Sequence, residues 1–127
     1  MEHLGDKRRF SVATRAKSFT HAGRGIWIVL KTTHNAWIQL ALLALAVLLG
    51  VVVKIDRTDW LLIILAAGLV LTAEAFNTAI ETAIDLASPE DHPFARDTKD
   101  VAAGAVLISA VTAFLIGVFI FVPRVFG

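Results

Sequence analysis

Three long apolar stretches separated by two short polar connections dominate the chain. Residues 36–53 read AWIQLALLALAVLLGVVV, uncharged and broken only by Gln39. That is close to the ~20 residues that cross a hydrocarbon core, so a first membrane span is predicted there. From Trp60 the run WLLIILAAGLVLTA stays apolar to Ala73. Glu74, Asn77, Glu81 and Asp85 then appear, while the apolar spacing between them continues to Leu86. One long helix over 60–86 with a wet inner end is predicted. Residues 101–122 carry no charge and form the third predicted span, closed by Pro123 and Arg124. Gly104 and Gly117 permit close helix contacts within it.

The connections differ in kind. Residues 54–59 hold Lys54, Asp56, Arg57 and Asp59 and suit a tight surface hairpin, whereas residues 88–100, SPEDHPFARDTKD, combine two prolines with six charges and suit a water-exposed loop. Ahead of the first span, residues 10–31 mix Phe10, Val12, Phe19, Ile26 and Trp27 with basic residues. This suits an amphipathic helix lying in the membrane interface, apolar side down and basic side toward lipid phosphates. The N-terminal run MEHLGDKRRFSVATRAK lacks the apolar core of a secretory signal, so insertion by the spans themselves is expected.

Composition agrees with a membrane protein of one domain, residues 1–127. Apolar residues make up 57% of the chain, charged residues 18%, and the mean hydropathy is +0.72. These values are too greasy for an ordinary soluble domain. A net charge of +1 gives no indication of a nucleic-acid binder, and the absence of cysteine removes disulfides and thiolate metal sites. Lys7, Arg8, Arg9, Arg15, Lys17, Arg24 and Lys31 precede the first span, and Arg96 and Lys99 lie in the second connection. Lys54, Arg57 and Arg124 fall on the other side. The positive-inside rule therefore puts the N-terminus and residues 88–100 in the cytoplasm, where ATP is available, with the chain in the inner (plasma) membrane.

The candidate chemistry lies on the second span. At ~100° per residue, Glu74, Asn77, Glu81 and Asp85 fall near 0°, 300°, 340° and 20°, on one face of the helix. Phe76, Ala79, Ile80 and Ala83 occupy the opposite face, free to meet lipid or neighbouring helices. Ionisable residues in a span are costly against lipid, so the polar face is expected to point into the bundle or a wet cavity. Such a row of carboxylates can hold Mg²⁺ against a nucleotide and take a proton from an attacking hydroxyl. Glu74, the deepest, suits the proton; Glu81, nearer the mouth, suits a hard cation such as Mg²⁺. Lys99 and Asp100, at the start of the third span, could add a phosphate contact and a further metal or water ligand. The same face also suits interhelical hydrogen bonding or the lining of a cation path, although a cation path gives no reason for the Lys99 and Asp100 pair. His3, His21, His34 and His92 have no paired spacing and suit surface positions near water.

Taken as a string, EAFNTAIETAIDL at 74–86 followed by KDVAAGAVL at 99–107 resembles the prokaryotic diacylglycerol kinase and undecaprenol kinase family. SFTHAGRGI at 18–26 is similar to its amphipathic segment, so the likeness covers nearly the whole chain. The resemblance implies an all-α homotrimer of three-span protomers, with active sites shared between neighbours, that moves the γ-phosphate of MgATP to the hydroxyl of diacylglycerol or undecaprenol. It implies Glu74 as the catalytic base, Asn77 as its polar support and Glu81 as a metal ligand. Glu90, His92, Lys99 and Asp100 fall at nucleotide-contacting positions, and Asp85 belongs to the same motif with a structural or nucleotide-side role.

The chain departs from the family pattern at two places. Thr33 stands where a second metal-binding Glu is usual, and Gln39 where His or Glu is common; Asn35 matches. A neutral hydroxyl supplies no charge to Mg²⁺, so an alternative is a catalytically weak member acting as a lipid-binding or assembly protein. The segment Lys31-Thr-Thr-His-Asn is somewhat closer to the undecaprenol kinase branch, whose members often carry K-T-E-x-N there.

Overall fold

A computed structural model describes residues 11–127. Phe10, the first residue of the expected interfacial segment, and Lys7, Arg8 and Arg9 before it lie outside the described residues. Four helices follow one another: α1 (Val12–Thr32), α2 (His34–Val53), α3 (Arg57–Ala87) and α4 (Pro93–Phe126). The described residues contain no strand. α2, α3 and α4 are each long and apolar enough to cross a membrane. Large apolar side chains cover their outer surfaces, Ile64, Leu65, Ile108, Phe114 and Phe119 among them. In water such a surface would drive association; against hydrocarbon it has no cost.

α3 and α4 form the most closely packed pair. The buried residues of α3 are Ile63, Ala66, Val70 and Glu74, spaced by three or four so that they share one face. Ala102, Ser109 and Ile120 are their counterparts on α4. Apolar packing is densest away from Glu74, where Ile55, Ile63 and Ile120 meet Trp60, Ile116 and Phe121. At that end Arg124 pairs with Asp59 and, at 3.6 Å, with Asp56, tying the last turn of α4 to the first of α3.

The connection from α2 to α3 is short because Lys54 takes a left-handed conformation (φ 57°, ψ 58°) and Ile55 N donates to Gly50 O at 3.1 Å. Asp56 then caps α3 by accepting from Asp59 N at 2.9 Å. Gly50 is needed here because a Cβ on it would meet Ile55 Cδ1 at 2.8 Å and Trp60 Cη2 at 2.9 Å.

α4 runs further at both ends than the sequence pattern indicates. The pattern predicts loop over 88–100, but α4 begins at Pro93, leaving only 88–92 between the helices. Proline at the first helical position needs no N–H partner, and His92 caps the helix by accepting from Phe94 N at 3.1 Å. Pro123, expected to end the third span, sits inside α4, and Arg124 Nη1 donates to Ile120 O at 2.7 Å within that last turn.

The lengths matter for the site. At ~1.5 Å per residue, the 20 residues of α2 span ~30 Å, while the 31 of α3 and 34 of α4 span ~46 and ~51 Å. The Arg124 pairs align α3 and α4 at one end, so their excess length projects at the other as a helical hairpin carrying Glu81, Asp85 and Lys99.

Gly50→Val should destabilise the chain by about 1–3 kcal/mol, the usual cost of overpacking. Thermal unfolding followed by circular dichroism in detergent measures this; an unchanged midpoint would show that Ile55 and Trp60 move aside freely.

Candidate functional site

The face of α3 that packs into the bundle is the face that becomes acidic. Ile63, Ala66 and Val70 lead along one ridge to Glu74, and Asn77, Glu81 and Asp85 continue it at helical spacing. Glu74 is 1% exposed and is the largest fully buried side chain among the described residues. Neither of its carboxylate oxygens has a hydrogen-bond partner, although Asn35 near the start of α2 approaches it. A buried carboxylate without partners costs several kcal/mol, so Glu74 weakens the fold it sits in.

Around it the backbone and hydroxyls are arranged in a chain. Thr78 Oγ1 donates to Glu74 O at 2.9 Å and lies 3.4 Å from Thr33 Oγ1. Thr33 is the single non-helical residue between α1 and α2, extended at φ −121° and ψ 114°. The break between those helices therefore abuts α3 one turn from Glu74. Further along the stripe, Asn77 Nδ2 donates to Glu81 Oε1 at 3.3 Å, while Asn77 Oδ1 is buried without a partner.

The outer stripe reaches α4. Lys99 pairs with Asp85 across the hairpin. Glu81, Asp85 and Asp100 are exposed, as are Glu90 and His92 in the loop at the hairpin tip. Glu90 offers its backbone carbonyl to Ser88 Oγ at 3.1 Å, and His92 is engaged as the cap of α4. The structure thus joins Asn77 to Glu81 and Asp85 to Lys99, and gives Glu90, His92 and Asp100 no direct contact with Glu74. Among the described residues no group of three or more His, Asp or Glu side chains is gathered to hold a metal ion.

One polar group is not marked as a site component by the sequence pattern. Gln39 lines an apolar groove of about 450 Å³ between α2, α3 and α4, together with Leu43, Val70, Leu71 and Phe114. Its Oε1 is buried and unpartnered. The groove reaches Val70, one helical turn from Glu74. The signals in the sequence are a lone amide in an otherwise apolar span and its place where the resembled family commonly carries His or Glu.

Comparison with known proteins decides the family. The family described as prokaryotic diacylglycerol kinase matches residues 20–121. The chain belongs to the prokaryotic diacylglycerol kinase family. An undecaprenol kinase of Bacillus subtilis is 38% identical over 123 residues, covering 97% of this chain and 96% of that protein. A diacylglycerol kinase of Helicobacter pylori (strain ATCC 700392 / 26695) is 32% identical over 109 residues, with coverage of 80% and 85%. The diacylglycerol kinase of Escherichia coli K12 is 31% identical over 109 residues, with coverage of 80% and 89%. The chain is therefore a membrane-embedded lipid kinase.

An ion pair as exposed as Asp85 with Lys99 contributes little to folding. Asp85→Asn should leave the thermal midpoint unmoved, measured by circular dichroism in detergent. A large drop in midpoint would make the pair a structural clamp instead.

Proposed function

We propose that the chain transfers the γ-phosphoryl group of MgATP to the hydroxyl of a membrane lipid alcohol, with Glu74 as the base. The observation that carries this is the buried carboxylate whose oxygens lack partners, at the level where the apolar groove gives way to the hairpin. The groove takes the lipid tail and leaves its hydroxyl beside Glu74. The hydroxyl oxygen forms a bond to the γ-phosphorus, the bond from that phosphorus to the bridging oxygen breaks, ADP leaves, and the hydroxyl proton passes to Glu74. Asn77 holds polar groups around the reacting centre.

Glu81 would hold the magnesium ion. Its carboxylate is exposed and accepts only one long hydrogen bond, from Asn77, so it has lone pairs to offer. Mg²⁺ typically takes one or two carboxylates and fills its shell with water and substrate phosphates, which this donor set fits without a three-carboxylate cluster. Bound there, the ion offsets negative charge on the phosphates. Lys99 steadies the nucleotide, with Asp85, Glu90, His92 and Asp100 around it on the hairpin. Arg15, Lys17, Arg24 and Lys31 with Arg96 and Lys99 lie at this end against Lys54, Arg57 and Arg124 at the other, an excess of Lys and Arg that supports a cytoplasmic position for it, in the inner (plasma) membrane. A homotrimer, with neighbours completing one another's sites, supplies groups that one chain leaves apart. The 38% identity to an undecaprenol kinase favours undecaprenol as the lipid to try first.

A second reading rests on Thr33. It lies beside Thr78 at the level of Glu74 and offers a neutral hydroxyl where a carboxylate would add a metal ligand. Such a chain binds lipid and nucleotide and turns over slowly.

Purified protein with MgATP should phosphorylate undecaprenol or diacylglycerol, compared side by side by product chromatography. Glu74→Gln, which preserves shape, should lower turnover by about 10²- to 10⁴-fold, the range for general-base removal; equal turnover would refute the base. Thr33→Glu should raise turnover and lower the Mg²⁺ concentration needed for half-maximal rate if the second reading holds. Wild-type turnover equal to that of the Thr33→Glu variant would dismiss it.

A further inference from the structure

Gln39 is the one residue along the apolar groove whose side chain forms hydrogen bonds; every other lining residue is aliphatic, aromatic or glycine. Its Oε1 is enclosed, and no donor among the described residues reaches it. A leucine here would pack without that cost, so the amide weakens the fold where it stands. An apolar groove with one unmet polar group offers a ligand a single point of recognition.

The amide has a defined depth relative to the acid. Asn35 approaches Glu74, and Gln39, four residues further along α2, lines the groove with Val70, four residues back along α3. At ~1.5 Å per residue the amide therefore lies ~6 Å deeper than the carboxylate. From there the groove continues along α2 to Leu49 and along α4 to Val122.

With the hydroxyl of a lipid alcohol beside Glu74, the amide meets the part of the lipid that follows the hydroxyl by a few bonds. In an ester-linked glycerolipid that part carries carbonyl oxygens, which accept a hydrogen bond and find no donor in hydrocarbon. In a polyprenol it is an alkene chain with nothing to accept. The NH₂ end of the amide, turned to the groove, donates to the first lipid and meets nothing in the second.

We infer that Gln39 is a specificity-determining residue, whose amide donates to an ester carbonyl of a glycerolipid and favours ester-linked lipid alcohols over hydrocarbon ones. The inference rests on the lipid kinase reading for the position of the hydroxyl, while the bond from amide to ester is tested without turnover. A buried amide left unmet should lower kcat/KM by about 5- to 100-fold. It acts on the ratio between lipids, whichever turns over faster in the parent. Because the bond is made in bound substrate and transition state alike, the effect falls on KM rather than on kcat.

The full chain is assayed with MgATP in alkyl maltoside micelles, which contain no ester. The lipids are dioleoylglycerol, the glycerol carrying the same chains through ethers, and undecaprenol. The parent should prefer the diester to the diether by about 5- to 100-fold in kcat/KM. Gln39→Leu should abolish that preference by raising KM for the diester, and should lower KM for undecaprenol. Gln39→Met, unbranched and of similar reach, should do the same and guards against a packing effect of leucine. Without ATP, the infrared stretch of dioleoylglycerol labelled with carbon-13 at its ester carbonyls should move to lower frequency on the parent and not on either variant.

Equal use of diester and diether by the parent, or variants that keep the parent's preference, would overturn the inference. So would an ester stretch that is the same on parent and variants. A lower thermal midpoint in both variants with the preference intact would overturn it too, making Gln39 a bond between helices or between copies. Absence of turnover on every lipid would sink the kinase reading, and the infrared measurement would still decide whether the amide holds an ester.

Discussion

The Glu74 carboxylate, buried in a helical bundle without a hydrogen-bond partner, is the constraint to which the rest of the structure answers. Desolvating such a group is among the most expensive acts available to a membrane helix, and no ion pair among the described residues joins it to a cation. The bundle tolerates it because Ile63, Ala66 and Val70 on the same ridge already commit α3 to face inward. With the ridge fixed by apolar packing, the acid has no rotation of the helix by which to escape to water. Packing at one end thus fixes the carboxylate at the other, and stability is given up locally for a group that, in the proposed mechanism, accepts a proton.

Unequal helix lengths then separate two environments along a single helix. α2 ends its reach near Glu74, while α3 and α4 continue past it as a two-helix hairpin. Glu74 is left buried, whereas Glu81 and Asp85 on the same face stand in the open. In the proposed reaction a lipid hydroxyl and a water-soluble nucleotide have no common solvent, and this change in surroundings over ~10 Å of helix rise would let each approach from its own phase.

Much of this is legible in the sequence, because hydropathy and helical period are strong signals in lipid. The three spans, the acidic face of α3 and the family all follow from residues read in order. The hairpin is hidden by its prolines. Pro89 and Pro93 look alike as breakers, yet Pro93 occupies a first-turn position behind a capping His92, where proline is at home. The helical stretch after it, FARDTKD, has only Phe94 and Ala95 as apolar residues, so no apolar stripe announces it. Likewise, Pro123 reads as a stop because the local pattern shows neither the side chain of Arg124 nor its reach to Ile120 O and the acids of α3. Which polar atoms lack partners, at Gln39, Glu74 and Asn77, is beyond any spacing argument, since it depends on three helices meeting.

The rise of α3 also limits what one chain can do. Glu81 lies seven residues beyond Glu74 and Asp85 eleven, or ~10 and ~16 Å along the axis. The two carboxylates also differ in surroundings, Glu74 being buried and Glu81 exposed with Asn77 donating to it. In the mechanism proposed above, acceptance of the proton and neutralisation of the phosphates are therefore separate tasks on one helix, and a triphosphate laid along the stripe from Lys99 inward toward Glu74 would join them. Thr33, hydrogen-bonded to Thr78 between the two, would in that mechanism bear on the approach of the phosphate more than on the acceptance of the proton.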